Sequence, residues 1–108
     1  MKKEVFNKLV RDKIPAHIRK HGKEPNCYVA EVDEYWMALK EKLQEEVTEF
    51  LESEAIEEIA DILEVVDALC IARGVELQEV YQIKKDKAEQ RGAFAKRVML
   101  IDVQSPHE

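Results

Sequence analysis

Hydrophobic and polar residues follow the period of an α-helix through the middle of the chain. Asp33 stands at a position suited to an N-cap, and apolar residues then recur every three or four positions as far as Ser53. This spacing predicts a long amphipathic helix over residues 34–53. At 100° per residue, its apolar stripe contains Tyr35, Trp36, Leu39, Leu43, Val47, Phe50 and Leu51.

A second long helix is predicted over residues 55–73, starting from Ser53 or Glu54 and ending at Gly74. It is apolar over most of its circumference, so it needs neighbours on more than one side. Almost no loop separates it from the preceding helix, and the two are therefore expected to pack antiparallel. A chain of 108 residues offers few further partners. We expect a homodimer or a higher homo-oligomer in which this helix packs on its twin.

Two further helices are predicted on either side of this pair. "PAHIRKHG", capped by Asp12, gives a short helix that stops at Gly22. Residues 75–91 give a longer one that ends at Gly92.

Two short segments are rich enough in β-branched residues to predict strands. They are "CYVAEV", residues 27–32, and "RVMLIDV", residues 97–103, and they would pair as a ribbon. The pattern as a whole predicts one all-α domain over residues 1–108, an antiparallel helix bundle to which this ribbon is added.

Composition favours a soluble, helix-rich protein, with 45% hydrophobic and 37% charged residues. No apolar run approaches the roughly 18 to 20 residues that span a membrane. The first residues lack the apolar core of a signal peptide. Cys27 and Cys70 are too few for a disulfide framework. We therefore expect a cytoplasmic protein with no membrane partner.

Charge is distributed unevenly along the chain. Residues 1–23 contain eight Lys or Arg and two acids, whereas residues 24–69 contain fifteen acids and two bases. An acidic middle next to a basic start suits a bound cation with an anionic ligand, although solvating charge on helices gives the same tally. The net charge of −6 argues against nonspecific binding to a nucleic-acid polymer.

The carboxylates form two pairs at helical spacing. Glu46 lies inside the apolar stripe with Glu49 one turn away, and Glu58 and Asp61 are one turn apart on the next helix. An ionised carboxylate in an apolar stripe is strongly unfavourable unless it is paired or bound to a metal. Antiparallel helices would bring both pairs to the shared turn. Although a solvated acidic face explains the spacing alone, the position of Glu46 favours a site for Mg²⁺, or Mn²⁺.

Basic residues suggest what such a cation would serve. Lys84, Lys87 and Arg91 share one face of the predicted 75–91 helix, and Arg11, Lys13 and Lys8 cluster in "NKLVRDKIP". Next to a divalent cation these side chains would suit a polyphosphate, although a basic stripe is as often simply solvated. The chain has no Walker A loop, and no His between residues 22 and 106 to supply the Glu-x-x-His motif of a dinuclear iron site.

"EEVTEF" followed by "EEIADILEV" resembles the E-x-x-E…E-x-x-D signature of the all-α nucleoside triphosphate pyrophosphatases, the MazG and phosphoribosyl-ATP pyrophosphohydrolase superfamily. "NKLVRDKIP" and "KAEQRGAF" resemble a small single-domain branch described as house-cleaning, and the likeness runs from about residue 6 to residue 101. The resemblance implies an all-α fold and Mg²⁺-dependent hydrolysis between the α and β phosphates, which yields a monophosphate and pyrophosphate. It assigns the metal ligands to Glu46, Glu49, Glu58 and Asp61.

The same resemblance implies roles for the remaining residues. Glu45 or Glu49 would accept the proton of the attacking water. The outer phosphates would be held by Arg11, Lys13, Lys84, Lys87 and Arg91. The segment between the acid pairs is shorter here than in larger members, so a partner subunit would complete the pocket. Two alternatives stay open: phosphoribosyl-ATP pyrophosphohydrolase of histidine biosynthesis, and a non-catalytic helical dimerisation or regulatory module.

Overall fold

The computed structural model describes residues 2–107, which form four α-helices and contain no β-strand. The prediction of an all-α fold is confirmed. None of the helices in this range combines the length and the apolarity needed to cross a membrane. The helices are α1 (Ile14–Lys20), α2 (Val32–Ser53), α3 (Ile56–Ala72) and α4 (Leu77–Arg91).

The prediction of a two-stranded ribbon is wrong. Residues 27–31 are irregular, Val32 already belongs to α2, and residues 97–103 have no regular secondary structure. β-Branched composition makes an extended conformation favourable, but a strand also needs a neighbour that completes its hydrogen bonds. Residues 2–107 provide no such neighbour for either segment.

The chain divides into two compact units, one reaching to Val75 and the other starting at Glu76. In the first unit, α2 and α3 form a helical hairpin and pack against each other. Two residues connect them, and Glu54 makes the turn in a left-handed conformation, with φ of 56°. Its N–H donates to the carbonyl oxygen of Phe50 at 2.7 Å. This tight connection enforces the predicted antiparallel arrangement.

Two predicted N-caps differ from the structure. The N-cap of α1 is Lys13, that of α2 is Glu31 and that of α3 is Ala55, none of which makes a side-chain capping bond. The predicted caps of α1 and α2 were Asp12 and Asp33, so these predictions are wrong by one and two positions. Ser53 still contributes, because its Oγ accepts a hydrogen bond from the N–H of Ala55 at 3.2 Å.

The predicted glycine stops are confirmed for α1 and α3. Gly22 and Gly74 have φ of 79° and 68°, the left-handed region that an L side chain rarely adopts. The N–H group after each glycine bonds back to the helix. The N–H of Lys23 donates to the carbonyl oxygen of Ile18 at 3.2 Å, and the N–H of Val75 donates to that of Cys70 at 2.9 Å. This is the bonding of a Schellman motif, and it fixes where each helix ends.

The hairpin has a small apolar core. Leu39 of α2 and Val65 of α3 are the two buried hydrophobic residues in the part of the chain that the structure describes. Leu63 and Ile71 of α3 are 55% and 74% exposed, and no side chain in this range is completely buried. The hairpin alone therefore leaves a large apolar surface in contact with water.

The second unit contains α4 and the segment that follows it. The helix begins at Leu77, two residues later than predicted, and ends at Arg91, where Gly92 follows as the predicted stop with φ of 84°. All residues from 81 to 107 are exposed. The apolar side chains of this exposed stretch include Phe94, Val98, Met99, Leu100 and Ile101.

Candidate metal centre

The hairpin brings three carboxylates together close to its turn. Glu46 lies two turns before the end of α2, and Glu58 and Asp61 lie one turn apart at the start of α3. One oxygen from each of the three lies within 4.8 Å of the others. We call these residues the carboxylate cluster. Its three side chains come from both helices, so the packing of the hairpin determines the spacing of the oxygens.

Glu46 is the unusual member of the cluster, because it is only 7% exposed. Its Oε2 is buried without a hydrogen-bond partner among residues 2–107. The Oε2 of Glu58 is likewise buried and has no hydrogen-bond partner in this range. A buried polar atom without a partner costs about 1–3 kcal/mol, and more when it is charged. Both oxygens belong to members of the carboxylate cluster. Carboxylate oxygens suit a hard cation such as Mg²⁺ or Mn²⁺, so the residues fit the predicted metal.

Burial is the main cause that raises the pKa of Glu46 above its ordinary value. The negative charges of Glu49 and Asp61 raise this pKa further, whereas the charge of Lys42 opposes them. The Nζ of Lys42 lies 3.5 Å from Oε1 of Glu46, one turn earlier on the same helix. Without a further cation, Glu46 therefore holds its proton to a higher pH than an exposed glutamate does.

Glu49, the fourth predicted ligand, lies next to the cluster but is not one of its members. It is exposed, and the group of oxygens within 4.8 Å does not include it. It nevertheless lies near enough to Glu46 for its charge and a hydrogen bond to act on that pKa. A fourth ligand bond from Glu49 therefore stays a prediction.

Two basic residues of the N-terminal segment reach the hairpin. Arg11 donates from Nη2 to Oδ1 of Asp61 at 2.7 Å, and Lys8 donates from Nζ to Oε1 of Glu45 at 3.0 Å. The first contact places the predicted phosphate ligand Arg11 on a member of the carboxylate cluster. The residues in these pairs are 50 and 37 positions apart in the sequence.

Glu45 is held between two lysines. In addition to Lys8, the Nζ of Lys42 lies 3.5 Å from its Oε2. The hydrogen bond from Lys8 is the largest cause that lowers the pKa of Glu45, with the charges of Lys42 and Lys8 adding to it. A carboxylate of lowered pKa is a weaker proton acceptor. This disfavours Glu45, relative to Glu49, in the predicted role of general base.

Sequence reasoning did not assign Lys8 or Lys42 to the site. Lys42 carried a usable signal, because it lies four residues before Glu46 and such residues are neighbours on a helix. The sequence groups Lys8 with Arg11 and Lys13 as a basic cluster, but its contact with Glu45 could not be located, since the residues before α1 have no regular structure whose period could place it.

The remaining predicted phosphate ligands are exposed basic residues outside the carboxylate cluster. Lys13 is exposed at the N-cap of α1. Lys84, Lys87 and Arg91 are exposed on α4, in the compact unit that starts at Glu76. Their contacts with a phosphate stay a prediction.

A pocket of about 540 Å³ opens at the far end of the hairpin, where α2 begins and α3 ends. Trp36 precedes Glu46 by ten positions, roughly 15 Å along a helix. No member of the carboxylate cluster lines this pocket, so it is distinct from the candidate metal centre. Its lining consists of Val32, Asp33, Tyr35, Trp36, Met37, Ala72 and Arg73.

Comparison with known proteins gives little further guidance. No protein-family model matches the chain, and no solved structure matches it significantly. A stretch of 41 residues is 54% identical to an uncharacterized protein of Mycolicibacterium smegmatis. The match covers 38% of this chain and 42% of that protein, so the chain spans less than half the length of this relative. The resemblance to the nucleotide pyrophosphatases therefore stays a prediction.

Proposed function

We propose that this protein is a Mg²⁺-dependent nucleoside triphosphate pyrophosphohydrolase that cleaves between the α and β phosphates. The observation that carries the proposal is the buried Oε2 of Glu46, which has no partner among residues 2–107 and belongs to a cluster of three carboxylates. Lys42 lies 3.5 Å from Oε1 of Glu46, but Oε2 is buried beside further carboxylates, which is unfavourable for the ionised group unless another cation joins it. A carboxylate-bound divalent cation is a common means of binding and polarising phosphates.

In this proposal Glu46, Glu58 and Asp61 hold the cation, with Glu49 as a fourth ligand or as the proton acceptor. When bound, the cation supplies Lewis-acid polarisation of the phosphate and lowers the pKa of a water. We assign the proton acceptor to Glu49 rather than to Glu45, because two lysines hold Glu45 as a stable anion. Arg11, with the remaining proposed phosphate ligands, would neutralise the charge of the outer phosphates. These ligands are Lys13, Lys84, Lys87 and Arg91.

We also propose a biological role, based on the resemblance to the nucleotide pyrophosphatases. The product pair would be a nucleoside monophosphate and pyrophosphate, and the resemblance favours clearance of non-standard nucleotides in the cytoplasm. Phosphoribosyl-ATP is the alternative substrate, because the same cluster would serve the same bond cleavage in it. A homodimer is proposed as the working assembly because α3 leaves apolar side chains such as Ile71 exposed.

The exposed apolar surface of the hairpin favours a second candidate function. A helical dimerisation or regulatory module would need this surface and would need no metal. Its acids would only keep the helices solvated. The unpartnered, buried Oε2 of Glu46 argues against this candidate, since a solvating carboxylate belongs on the exposed face.

The test is a panel of nucleoside triphosphates and phosphoribosyl-ATP, incubated with the full chain and Mg²⁺ and scored for both pyrophosphate and orthophosphate. We expect pyrophosphate, loss of its release in EDTA, and loss in Glu46→Gln. The matched control is Glu52→Gln, the same change at an exposed position of α2.

Each result of this panel decides between the candidates. Release of orthophosphate would contradict cleavage between the α and β phosphates. Turnover of phosphoribosyl-ATP alone would select the biosynthetic alternative. If no nucleotide turns over while the chain still self-associates, the non-catalytic module is favoured.

A further inference from the structure

Ion pairs connect the N-terminal segment, residues 2–13, to the hairpin. The segment contains no helix, and two ion pairs join it to α2 and α3. Lys8 pairs with Glu45 next to the carboxylate cluster, and Arg11 pairs with Asp61 inside it. The position of the segment therefore depends partly on an acid that we propose as a metal ligand.

Arg11 and a metal ion would use the same carboxylate. The Arg11 side chain lies 2.7 Å from Oδ1 of Asp61, and one Asp61 oxygen lies within 4.8 Å of oxygens from Glu46 and Glu58. A divalent ion bonded to Asp61 would place two positive charges within a few ångströms of the guanidinium, which cannot lose its own charge. The pair is also easy to separate, because the side chains of Arg11 and Asp61 are 57% and 37% exposed.

We infer that Arg11 stands in for the metal at Asp61 in the metal-free protein and moves to a phosphate when a metal-bound nucleotide arrives. This inference rests on the proposed function. A guanidinium binds phosphate oxygens through two parallel hydrogen bonds, so the nucleotide offers Arg11 a partner that replaces Asp61. The Lys8–Glu45 pair lies outside the cluster and keeps the segment on the hairpin during the exchange.

The exchange predicts opposite effects of Arg11 on two ligands. Arg11 opposes binding of the metal alone, because the guanidinium and the metal ion repel each other and each weakens the binding of the other to Asp61. It favours binding of the metal together with a nucleotide, because the phosphates attract it. By linkage, removal of Arg11 must strengthen the first equilibrium and weaken the second. A residue with a purely structural role would weaken both.

The experiment measures Mn²⁺ binding to the full chain by electron paramagnetic resonance, first without nucleotide. We expect Arg11→Gln to bind Mn²⁺ about two- to tenfold more tightly than the wild type. Lys20→Gln removes the same charge from an exposed position of α1 and is the matched control, with no more than a small change expected. In saturating Mn²⁺, a non-hydrolysable α,β-methylene triphosphate should bind Arg11→Gln about fivefold or more weakly.

Several results would overturn the inference. Mn²⁺ affinity that is equal or lower in Arg11→Gln shows that Arg11 does not compete for Asp61. An equal gain in Lys20→Gln shows a general effect of net charge. Helical circular dichroism verifies that the variants are folded, and Arg11→Lys, which keeps the charge, should lie between the wild type and Arg11→Gln.

Failure of the proposed function gives a different pattern. If the wild type does not bind Mn²⁺, or if Glu46→Gln binds it equally well, the carboxylate cluster is not a metal centre. If Mn²⁺ binding depends on Glu46 but not on Arg11, the metal centre stands and the inference about Arg11 is wrong.

Discussion

The guanidinium carbon of Arg73 lies 5.2 Å from the centre of the Trp36 ring. Arg73 follows the last residue of α3, and Trp36 lies in the second turn of α2. The contact therefore joins the two helices at the end of the hairpin that has no covalent connection. The Nζ of Lys40 also approaches the ring, at 6.0 Å from its centre. Because Lys40 and Trp36 both belong to α2, this contact does not link the two helices.

We expect Arg73→Ala to lower the free energy of unfolding by about 0.5–1 kcal/mol, the usual size of an exposed cation–π contact. Lys40→Ala should have a smaller effect because it leaves the link between α2 and α3 in place. Urea denaturation measures both, and Trp36 is a specific fluorescent reporter since the chain contains one tryptophan. Equal stability of Arg73→Ala and the wild type would show that the contact does not hold the hairpin closed.

Glu46→Gln should stabilise the metal-free protein at neutral pH by roughly 1 kcal/mol, the net value of one hydrogen bond. The change removes a buried charge, and its amide can donate to the unpartnered Oε2 of Glu58. Chemical denaturation in EDTA measures the gain. A less stable variant would show that the ion pair with Lys42 outweighs the desolvation of Glu46.

This gain should depend on pH in a defined direction. In the folded chain the pKa of Glu46 is raised above its ordinary 4.5, so stability from the protonated form is present below that pH. It is lost as pH rises through the raised pKa, because the folded chain must then carry the buried charge. Glutamine cannot ionise, so the variant and the wild type should converge in stability near pH 4 and separate towards pH 7. A constant difference would contradict the raised pKa.

Much of the candidate site could be predicted from helical geometry. Glu46 falls inside the apolar stripe by the 100° rule, and the near absence of a loop after Ser53 requires α3 to pack antiparallel. The burial of Glu46 and its proximity to Glu58 and Asp61 follow from these two facts. The absence of Glu49 from the three clustered oxygens was less predictable, because at the edge of a stripe the side-chain rotamer decides between cluster and solvent.

The contacts of the N-terminal segment could not be predicted in the same way. Arg11 reaches Asp61 across 50 positions of sequence from a segment without a periodic structure. The strand predictions failed for a related reason, since the pairing of residues 27–32 depends on a partner that the local sequence does not specify. In both cases the missing information is long-range, whereas helical periodicity is local.

Glu49→Gln should reduce turnover more than Glu45→Gln if the proposed function holds. Lys8 and Lys42 hold Glu45 and lower its pKa, so it is a poor proton acceptor, whereas Glu49 is exposed next to the cluster. Loss of a general base costs about 100- to 10,000-fold in rate. The Mn²⁺ affinity of Glu49→Gln distinguishes the two proposed roles of Glu49. The affinity should change little if Glu49 is the general base, and it should fall markedly if Glu49 is a metal ligand. A larger loss in Glu45→Gln would reverse the assignment.

The last prediction concerns assembly and depends on the small core of the hairpin. Leu39 and Val65 are its buried hydrophobic residues among those described, while Leu63 and Ile71 are largely exposed. Burial of such a side chain contributes about 1.5–3 kcal/mol, compared with a typical domain stability of about 5–15 kcal/mol. A single chain therefore forgoes a large part of the stability it needs, and packing of α3 on the α3 of a second copy would restore it.

We expect the wild type to sediment as a dimer or higher oligomer at micromolar concentration. Val66→Glu or Leu69→Glu, at half-buried positions of α3, should dissociate or unfold it and abolish turnover without contacting the carboxylate cluster. Thr48→Glu adds the same charge at an exposed position on the far side of α2 from Glu46, and it should leave the assembly intact. A wild-type chain that sediments as a folded monomer would contradict the dimer. It would also contradict the expectation that a partner subunit completes the nucleotide pocket, because no second copy would then be present to contribute to it.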